Sequence, residues 1–158
     1  MRDVVGPGVE IRRPQSDEPE RLREIMIASK AHWGYDRDWV VAWVARDFSG
    51  DALARNETFV ADAAGTAVGW AMLVPRGEVG WLEDMWIEPA WIGRGIGTQL
   101  FERVAARARE LGARRLEWEA EPNATGFYER MGGRHIRDSE TNEWGRTLSI
   151  MGCDLGER

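Results

Sequence analysis

Residues 82–97, LEDMWIEPAWIGRGIG, decide the fold of this chain. An apolar strand leads through Glu88-Pro89 into a glycine-rich turn, after which a helix is expected to begin near Gly95. Glycine lets backbone N–H groups approach an anion closely, and the first turn of a helix leaves N–H groups without intrahelical acceptors. The helix dipole favours negative charge at the same place. The layout therefore predicts a phosphate-binding turn.

Two common phosphate-binding motifs do not fit this turn. A dinucleotide-binding fingerprint counted from Gly93 needs a third glycine at position 98, which is Thr98, and counted from Gly95 it needs one at Leu100. A P-loop needs Gly-Lys-Ser/Thr, and there is no lysine near the turn. Glycine spacing excludes the first motif, and the missing lysine excludes the second.

Composition limits the class of protein. The 158 residues are enough for one domain, and 21 basic against 27 acidic residues give a net charge of −6. That charge argues against a nucleic-acid partner and mildly favours a cationic acceptor. The apolar runs are too short for a membrane span, and a signal-peptide core is lacking. A single cysteine, Cys153, is typical of a protein from a reducing compartment. From these features together we expect a cytoplasmic protein that has no membrane partner.

The first half of the chain is predicted to alternate helices and strands. Residues 1–8 are expected to be a flexible N-terminal tail, followed by a single domain over 9–158 that begins with a strand at 9–13. Asp17 and Glu20 match a capping box before a helix that ends near Lys30. A second amphipathic helix and three strands follow; they are predicted at 39–48, 57–62, 67–74 and 79–87.

The second half changes to a helical period after Gly95. One apolar helical face precedes Gly112, and its members are Leu100, Phe101, Val104, Ala105, Ala108 and Leu111. The strand at 115–119 should pair in parallel with the strand before the turn, because a helix joins the two. A helix then opens near Pro122, and two closing strands are predicted near 134–137 and 147–153.

The turn resembles the pyrophosphate loop of the GNAT superfamily, the acyl-CoA-dependent N-acyltransferases, whose pattern is Gln/Arg-x-x-Gly-x-Gly/Ala. It falls on residues 92–97: both signature glycines match, and Ile92 replaces the usual Gln or Arg. A second block, Pro122-Asn123-Ala124 followed by Phe127-Tyr128-Glu129-Arg130-Met131-Gly132, is similar to the helix that carries the superfamily's usual catalytic tyrosine. The resemblance implies an α/β, GNAT-like fold: a mixed, mostly antiparallel twisted sheet of about six or seven strands, flanked by about four helices.

The resemblance also implies acetyl-CoA as co-substrate. The residues implied to contact it are Met85, Trp86, Ile87, Ile92, Gly93, Arg94, Gly95, Ile96, Gly97, Thr98, Asn123, Phe127 and Tyr128. The strand residues 85–87 would polarise the thioester carbonyl through a backbone N–H. No metal is expected, because His32 and His135 are the only histidines and lack ligand spacing.

Four side chains are candidates for proton transfer. In this family the tyrosine of the Phe-Tyr pair faces the thioester sulfur, so Tyr128 is the candidate acid; packing in the core is its alternative role. Glu83 is the leading base, because it interrupts an apolar strand and Leu82-Glu83-Asp84 resembles the corresponding strand of polyamine acetyltransferases. Glu119, Glu117 and a water chain remain alternatives.

The acceptor site is expected between the first two helices, since in GNAT proteins that segment commonly borders the acceptor pocket. The candidate substrate residues are Lys30, His32, Trp33 and Tyr35. Trp33, Trp39 and Trp43 cluster in this partly polar region, as aromatic residues of pocket walls or interfaces do.

The predicted function is acetyl transfer from acetyl-CoA to a primary amine, one belonging to a small molecule, by direct transfer in a ternary complex. No Cys-His or Ser-His signature supports a covalent acyl-enzyme. The alternatives are a protein lysine or N-terminal acetyltransferase and a non-catalytic acyl-CoA sensor. Sheet edges and exposed tryptophans would offer surfaces for a homodimer.

Overall fold

The structure is a computed structural model that describes residues 3–4, 8–142 and 145–156. These residues form one mixed sheet of eight strands, five α-helices and two single-turn 3-10 helices, which confirms the predicted α/β class. The strands are β1 (Asp3–Val4), β2 (Val9–Arg12), β3 (Glu57–Ala63), β4 (Thr66–Arg76), β5 (Val79–Ile87), β6 (Arg115–Ala120), β7 (Arg134–Asp138) and β8 (Ser149–Asp154). The helices are α1 (Pro19–His32), α2 (Arg37–Asp47), α3 (Gly50–Arg55), α4 (Ile96–Glu110) and α5 (Thr125–Arg130).

Two elements exceed the predicted number. The two-residue strand β1 pairs antiparallel with β2 and lies in the segment expected to be a tail, of which residues 1, 2 and 5–7 lie outside the described residues. Helix α3 has no counterpart among the sequence predictions; its N-cap is Ser49, whose side chain accepts the Ala52 N–H at 3.2 Å. The single-domain assignment stays a prediction.

By its internal contacts the chain divides into two compact units, which we describe separately. The first unit comprises Met1–Met72 and Asp84–Val104, and the second comprises Leu73–Glu83 and Ala105–Arg158. Strands β4 and β5 and helix α4 each contribute residues to both units.

The first unit has antiparallel strands and a helical layer. Strand β2 pairs with β3, and Ile11 lies opposite Ala61. The fully buried side chains come from α1, α2, β3, β4 and α4; they include Leu22, Ile25, Val40, Val44, Phe59, Trp70 and Leu100. The indole N–H of Trp70 donates to the Leu22 carbonyl at 2.9 Å, so the largest core side chain keeps its polar group satisfied.

A buried ion cluster lies at the start of α1. Arg12 donates to both carboxylate oxygens of Glu18, at 2.9 and 2.7 Å, and to Asp62 at 2.7 Å. Burial raises the pKa of the Glu18 carboxyl, but hydrogen bonds from Arg12 and the Gln15 N–H outweigh it and leave the pKa below its usual value. Glu18 is the N-cap residue and lacks a side-chain capping bond. The predicted capping box is therefore wrong, because the helix starts one residue later than it requires. Glu20, the second residue of the predicted box, pairs instead with Arg23.

The second unit contains the parallel pair that was expected. Strand β5 pairs in parallel with β6, which pairs antiparallel with β8, and β8 pairs antiparallel with β7. A Cβ on Gly80 would lie 3.2 Å from the Ala108 Cβ and 3.3 Å from the Leu116 side chain, so this glycine allows α4 to pack closely on β5. Leu111 is 41% exposed and not part of the apolar face, because α4 ends at Glu110. Among the described helices, none combines the length and apolarity that a bilayer span requires.

Candidate active site

The glycine-rich turn is an exposed loop in front of a long helix in the first unit. After β5, a 3-10 turn at Pro89–Trp91 leads to Gly93 and Gly95, whose φ angles are +82° and +84°. These angles are strained for any side chain, although an added Cβ would meet nothing within 4 Å. Ile96, the first residue of α4, is only 2% exposed and fixes the loop to the core. Backbone conformation, with open space around it, is what the glycines provide.

Arg21 anchors the residue that leads into this loop. Its guanidinium donates from Nε and Nη2 to the Ala67 carbonyl, at 3.1 and 2.9 Å, and from Nη2 to the Glu88 carboxylate at 3.0 Å. The Glu88 backbone N–H donates to the Val68 carbonyl at 2.8 Å. Side chain and backbone of Glu88 are thus both held just before Pro89.

A second positioning residue is Gly69 in β4. A Cβ there would lie 3.1 Å from Ile87 Cδ1, 3.2 Å from the Trp86 carbonyl oxygen and 3.3 Å from Ile96 Cγ2. The absent side chain leaves room for the end of β5 and the start of α4 to approach β4. The two ends of the loop therefore share one tightly packed support.

The other predicted loop residues are partly or fully exposed. Ile92 is 41% exposed, and the Arg94 guanidinium lies 4.7 Å from the Trp91 ring centroid, a cation–π contact. Gly97 and Thr98, in the first turn of α4, are half-buried. Arg94 supplies a positive charge beside backbone N–H groups that suit an anion.

The end of β5 is half-buried at Met85, Trp86 and Ile87. The Trp86 indole N–H donates to the Asp84 carboxylate at 2.9 Å, as side chains two apart on one face of a strand can. This bond fixes the Trp86 ring next to the backbone of β5.

The four predicted acceptor residues separate into two groups. Lys30, in the last turn of α1, is buried, and its Nζ lies 4.5 Å from the centroid of Tyr35 and 5.0 Å from that of Trp43. His32 and Trp33 are exposed and contact each other edge to face, with centroids 4.8 Å apart.

Tyr35 belongs to a continuous series of rings, which we call the aromatic ladder: Tyr35, Trp39, Trp43 and Trp86. Tyr35 stacks on Trp39 at 5.5 Å, Trp39 stacks on Trp43 at 6.2 Å, and Trp43 meets Trp86 edge to face at 5.9 Å. The spacing follows from α2, which Asp36 caps by accepting the Trp39 N–H at 3.1 Å and which carries Trp39 and Trp43 one turn apart. The ladder connects the α1–α2 segment to β5.

In the second unit, Tyr128 is packed among rings. It is 8% exposed, and its ring centroid lies 4.8 Å from that of Trp118 and 5.2 Å from that of Phe127. Gly133 donates its N–H to the Tyr128 carbonyl at 2.9 Å, and a Cβ on Gly133 would lie 2.6 Å from Trp118 Cζ2. Because Gly133 has no side chain, the backbone can pass close to Trp118 where it leaves α5. This close packing holds Tyr128 in position.

The candidate carboxylates of the second unit differ in burial and partners. Glu83 is exposed and accepts the Trp81 indole N–H at 2.6 Å. Glu119 is exposed on β6, opposite Ile150 of β8. Glu117 is 3% exposed and forms ion pairs with Arg115 and, at 3.2 Å, with Arg137, so its charge is already neutralised. Asn123 is exposed and donates to Glu121 at 3.0 Å.

Comparison with known protein families identifies the family of this chain. The Acetyltransferase (GNAT) family matches residues 20–133, which is more than half of the chain. The chain belongs to the GNAT family. The matched range includes the loop, the aromatic ladder, both exposed carboxylates and Tyr128.

Individual relatives are more distant. An uncharacterized N-acetyltransferase of Methanocaldococcus jannaschii is 28% identical over 143 residues, which cover 77% of this chain and 59% of the relative. Glucosamine 6-phosphate N-acetyltransferase 1 of Oryza sativa subsp. japonica is 35% identical over 88 residues, covering 50% of this chain and 53% of the relative. The GNAT chain thus spans between half and three-fifths of the length of these two curated relatives.

Solved structures agree on the fold. The crystal structure of PaiA N-acetyltransferase from Thermoplasma acidophilum in complex with coenzyme A has a TM-score of 0.79 and 17% identity, and the match covers 92% of this GNAT chain and 98% of that one. At this identity the likeness concerns the architecture.

Two residues that support the loop, Arg21 and Gly69, were missed by the sequence reasoning. Trp86 was predicted as a cofactor contact, but its contact with Trp43, on an element distant in sequence, was not. The clustering of Trp39 and Trp43 near the acceptor segment was the one available signal. In the part of the chain that the structure describes, no group of three His, Cys, Asp or Glu side chains could hold a metal ion.

Proposed function

We propose that this protein transfers an acetyl group from acetyl-CoA to the primary amine of a small molecule, by direct attack in a ternary complex. The observation that carries the proposal is the exposed loop with two positive-φ glycines at the start of a 15-residue helix. Backbone N–H groups and the helix dipole there suit the pyrophosphate of CoA, and Arg94 adds a positive charge.

The reaction breaks the thioester C–S bond and forms an amide C–N bond. The acceptor ammonium must lose a proton, and the departing thiolate must gain one. We assign proton delivery to Tyr128, whose ring is fixed by Trp118 and Phe127, and carbonyl polarisation to a backbone N–H of residues 85–87. Glu83 is the preferred base and Glu119 its alternative, each directly or through water; Glu117 is disfavoured by its ion pairs.

The acceptor is proposed to bind near the α1–α2 segment, where Lys30, His32, Trp33 and Tyr35 lie. The half-buried aromatic ladder favours a compact organic acceptor over a protein substrate, which usually needs a flat, open groove. Protein acetylation and a silent acyl-CoA sensor remain the alternatives.

The cellular setting is also a proposal. Net charge −6 and a single cysteine support a cytoplasmic protein that binds neither nucleic acid nor membrane. We propose no metal, because His32 and His135 are the only histidines and lack ligand spacing. The exposed Trp33 is one surface on which a homodimer could form, which a sedimentation measurement would test.

Thermal unfolding and CoA release together test the proposal. Acetyl-CoA or CoA should raise the melting temperature, whereas NAD and ATP should not. At a ligand concentration a hundredfold above Kd, the free energy of unfolding should increase by about 2.7 kcal/mol. Amine-dependent release of free CoA should then appear with small amines. Stabilisation without release for any small amine or peptide would favour the sensor, and release with peptides alone would favour protein acetylation.

A further inference from the structure

We propose that the aromatic ladder selects the acceptor, and that the preferred acceptor is a monoamine with a flat aromatic body. The inference rests on the proposed function, because it names the substrate class of the same site. It assigns the acceptor contact chiefly to Trp39, Trp43 and Trp86 together with Tyr35.

The rings of the aromatic ladder are more exposed than the tryptophans of the core. Trp70 and Trp118 are each 1% exposed and belong to the core, whereas all four ladder rings are only half-buried. Contiguous, partly exposed aromatic surface is typical of ligand-binding walls, and planar ligands gain stacking contacts that saturated ones do not.

The positive charge of Lys30 disfavours a polyamine on the ladder. The ammonium of Lys30 already lies against the faces of Tyr35 and Trp43. A polyamine on the same rings would place one or more further cations close to Lys30, and like charges repel. A neutral ring avoids this repulsion, so the ladder suits the uncharged body of a monoamine.

The aromatic ladder reaches the strand that is proposed to polarise the thioester carbonyl. The ladder ends at Trp86, between Met85 and Ile87, on the stretch of β5 to which we assign carbonyl polarisation. The Asp84 carboxylate, which accepts a hydrogen bond from the Trp86 indole N–H, lies beside this last ring. The positively charged ammonium of an acceptor would be attracted to this negative charge. An aromatic body on the ladder would therefore leave its amine near β5.

The experiment compares 2-phenylethylamine with 2-cyclohexylethylamine, which have the same carbon skeleton but a planar and a puckered ring. Spermidine serves as the polyamine. Binding is measured by isothermal titration in the presence of CoA, and turnover by CoA release from acetyl-CoA. We expect the aromatic amine to bind and react roughly tenfold better than the saturated one, and spermidine to be the poorest.

Variants locate the selectivity. Trp39→Leu and Trp43→Leu should reduce the aromatic-to-saturated ratio toward one, and Trp39→Phe should largely retain it. Phe48→Leu is the matched control, because Phe48 follows the same helix but packs on Trp70, at 6.1 Å, outside the ladder. The ratio is internal to each variant, so a change in the folded fraction does not alter it.

The outcomes separate the two proposals. Selective binding of the aromatic amine without CoA release would support the ladder as an amine site and overturn the acetyltransferase assignment. Turnover of spermidine or of the cyclohexyl compound in preference to the aromatic amine would overturn the inference and leave the assignment intact. A ratio unchanged in both leucine variants would also overturn it.

Discussion

The loop at 93–98 and the helix α5 are specified in different ways. The loop depends on backbone conformation: Gly93 and Gly95 have positive φ, their surroundings are open, and no side chain is needed to present N–H groups. In the proposed reaction, helix α5 contributes one side chain, Tyr128, whose ring packs on Trp118 where Gly133 passes closely. The loop should therefore fail when its backbone is changed, and α5 when one hydroxyl is removed.

The largest effect is expected from Gly95→Val. A β-branched side chain at φ +84° should force the loop into another conformation and abolish the stabilisation of about 2.7 kcal/mol by a hundredfold excess of acetyl-CoA. The ligand-induced stabilisation is measured by thermal unfolding with and without acetyl-CoA. Gly65→Val is the matched control, because its φ of +91° imposes the same kind of strain in a turn of the same unit. An equal ligand-induced shift in both variants would remove the loop from the CoA site.

Tyr128→Phe tests the other half of the comparison. The ring contacts with Trp118 and Phe127 would be kept, so stability and acetyl-CoA affinity should change little. Loss of proton delivery should lower kcat by roughly 10²-fold. Single-turnover CoA release is the measurement. Retention of full kcat would leave Tyr128 with a packing role alone.

The difference between the two regions explains what the sequence could predict. Spacing of glycines before a helical period specifies a loop directly, and the change of period also located β5, α4 and the parallel strand β6. The proposed role of Tyr128 rests on a resemblance, because a buried tyrosine in a helix is equally compatible with packing alone.

Contacts between distant residues could not be predicted in this way. Arg21 reaches Glu88 across 67 positions, and Trp43 meets Trp86 only after α2 and β5 have packed. The capping box was wrong for a related reason: the N-cap residue is Glu18, which lies in an ion cluster with Arg12 and Asp62 that joins β2, the start of α1 and β3. Local patterns do not contain such information.

Arg21→Ala tests whether acetyl-CoA binding depends on the residues that hold the loop backbone in place. The variant removes the bonds to Ala67 and Glu88, so Glu88-Pro89 should lose part of its support and the Kd for acetyl-CoA should rise about tenfold. The kcat at saturating acetyl-CoA should change less, which a purely structural defect would not predict. Arg23→Ala is the control, because Arg23 lies on α1 as well and pairs with Glu20 on the exposed side. Equal Kd values for the two variants would contradict the role of Arg21.

The smallest effect is expected at the base, where an exposed side chain can be replaced by water. Glu83→Gln keeps an acceptor for the Trp81 indole N–H but removes the negative charge, so activity should fall roughly fivefold at neutral pH. The loss should be greater at low pH, where the acceptor ammonium most needs a base, and smaller at high pH, where the free amine is already abundant. Profiles of kcat/KM against pH for Glu83→Gln and Glu119→Gln provide the measurement. If only the Glu119 variant shows rescue at high pH, the base lies on β6, and if neither does, deprotonation proceeds through water without a dedicated carboxylate.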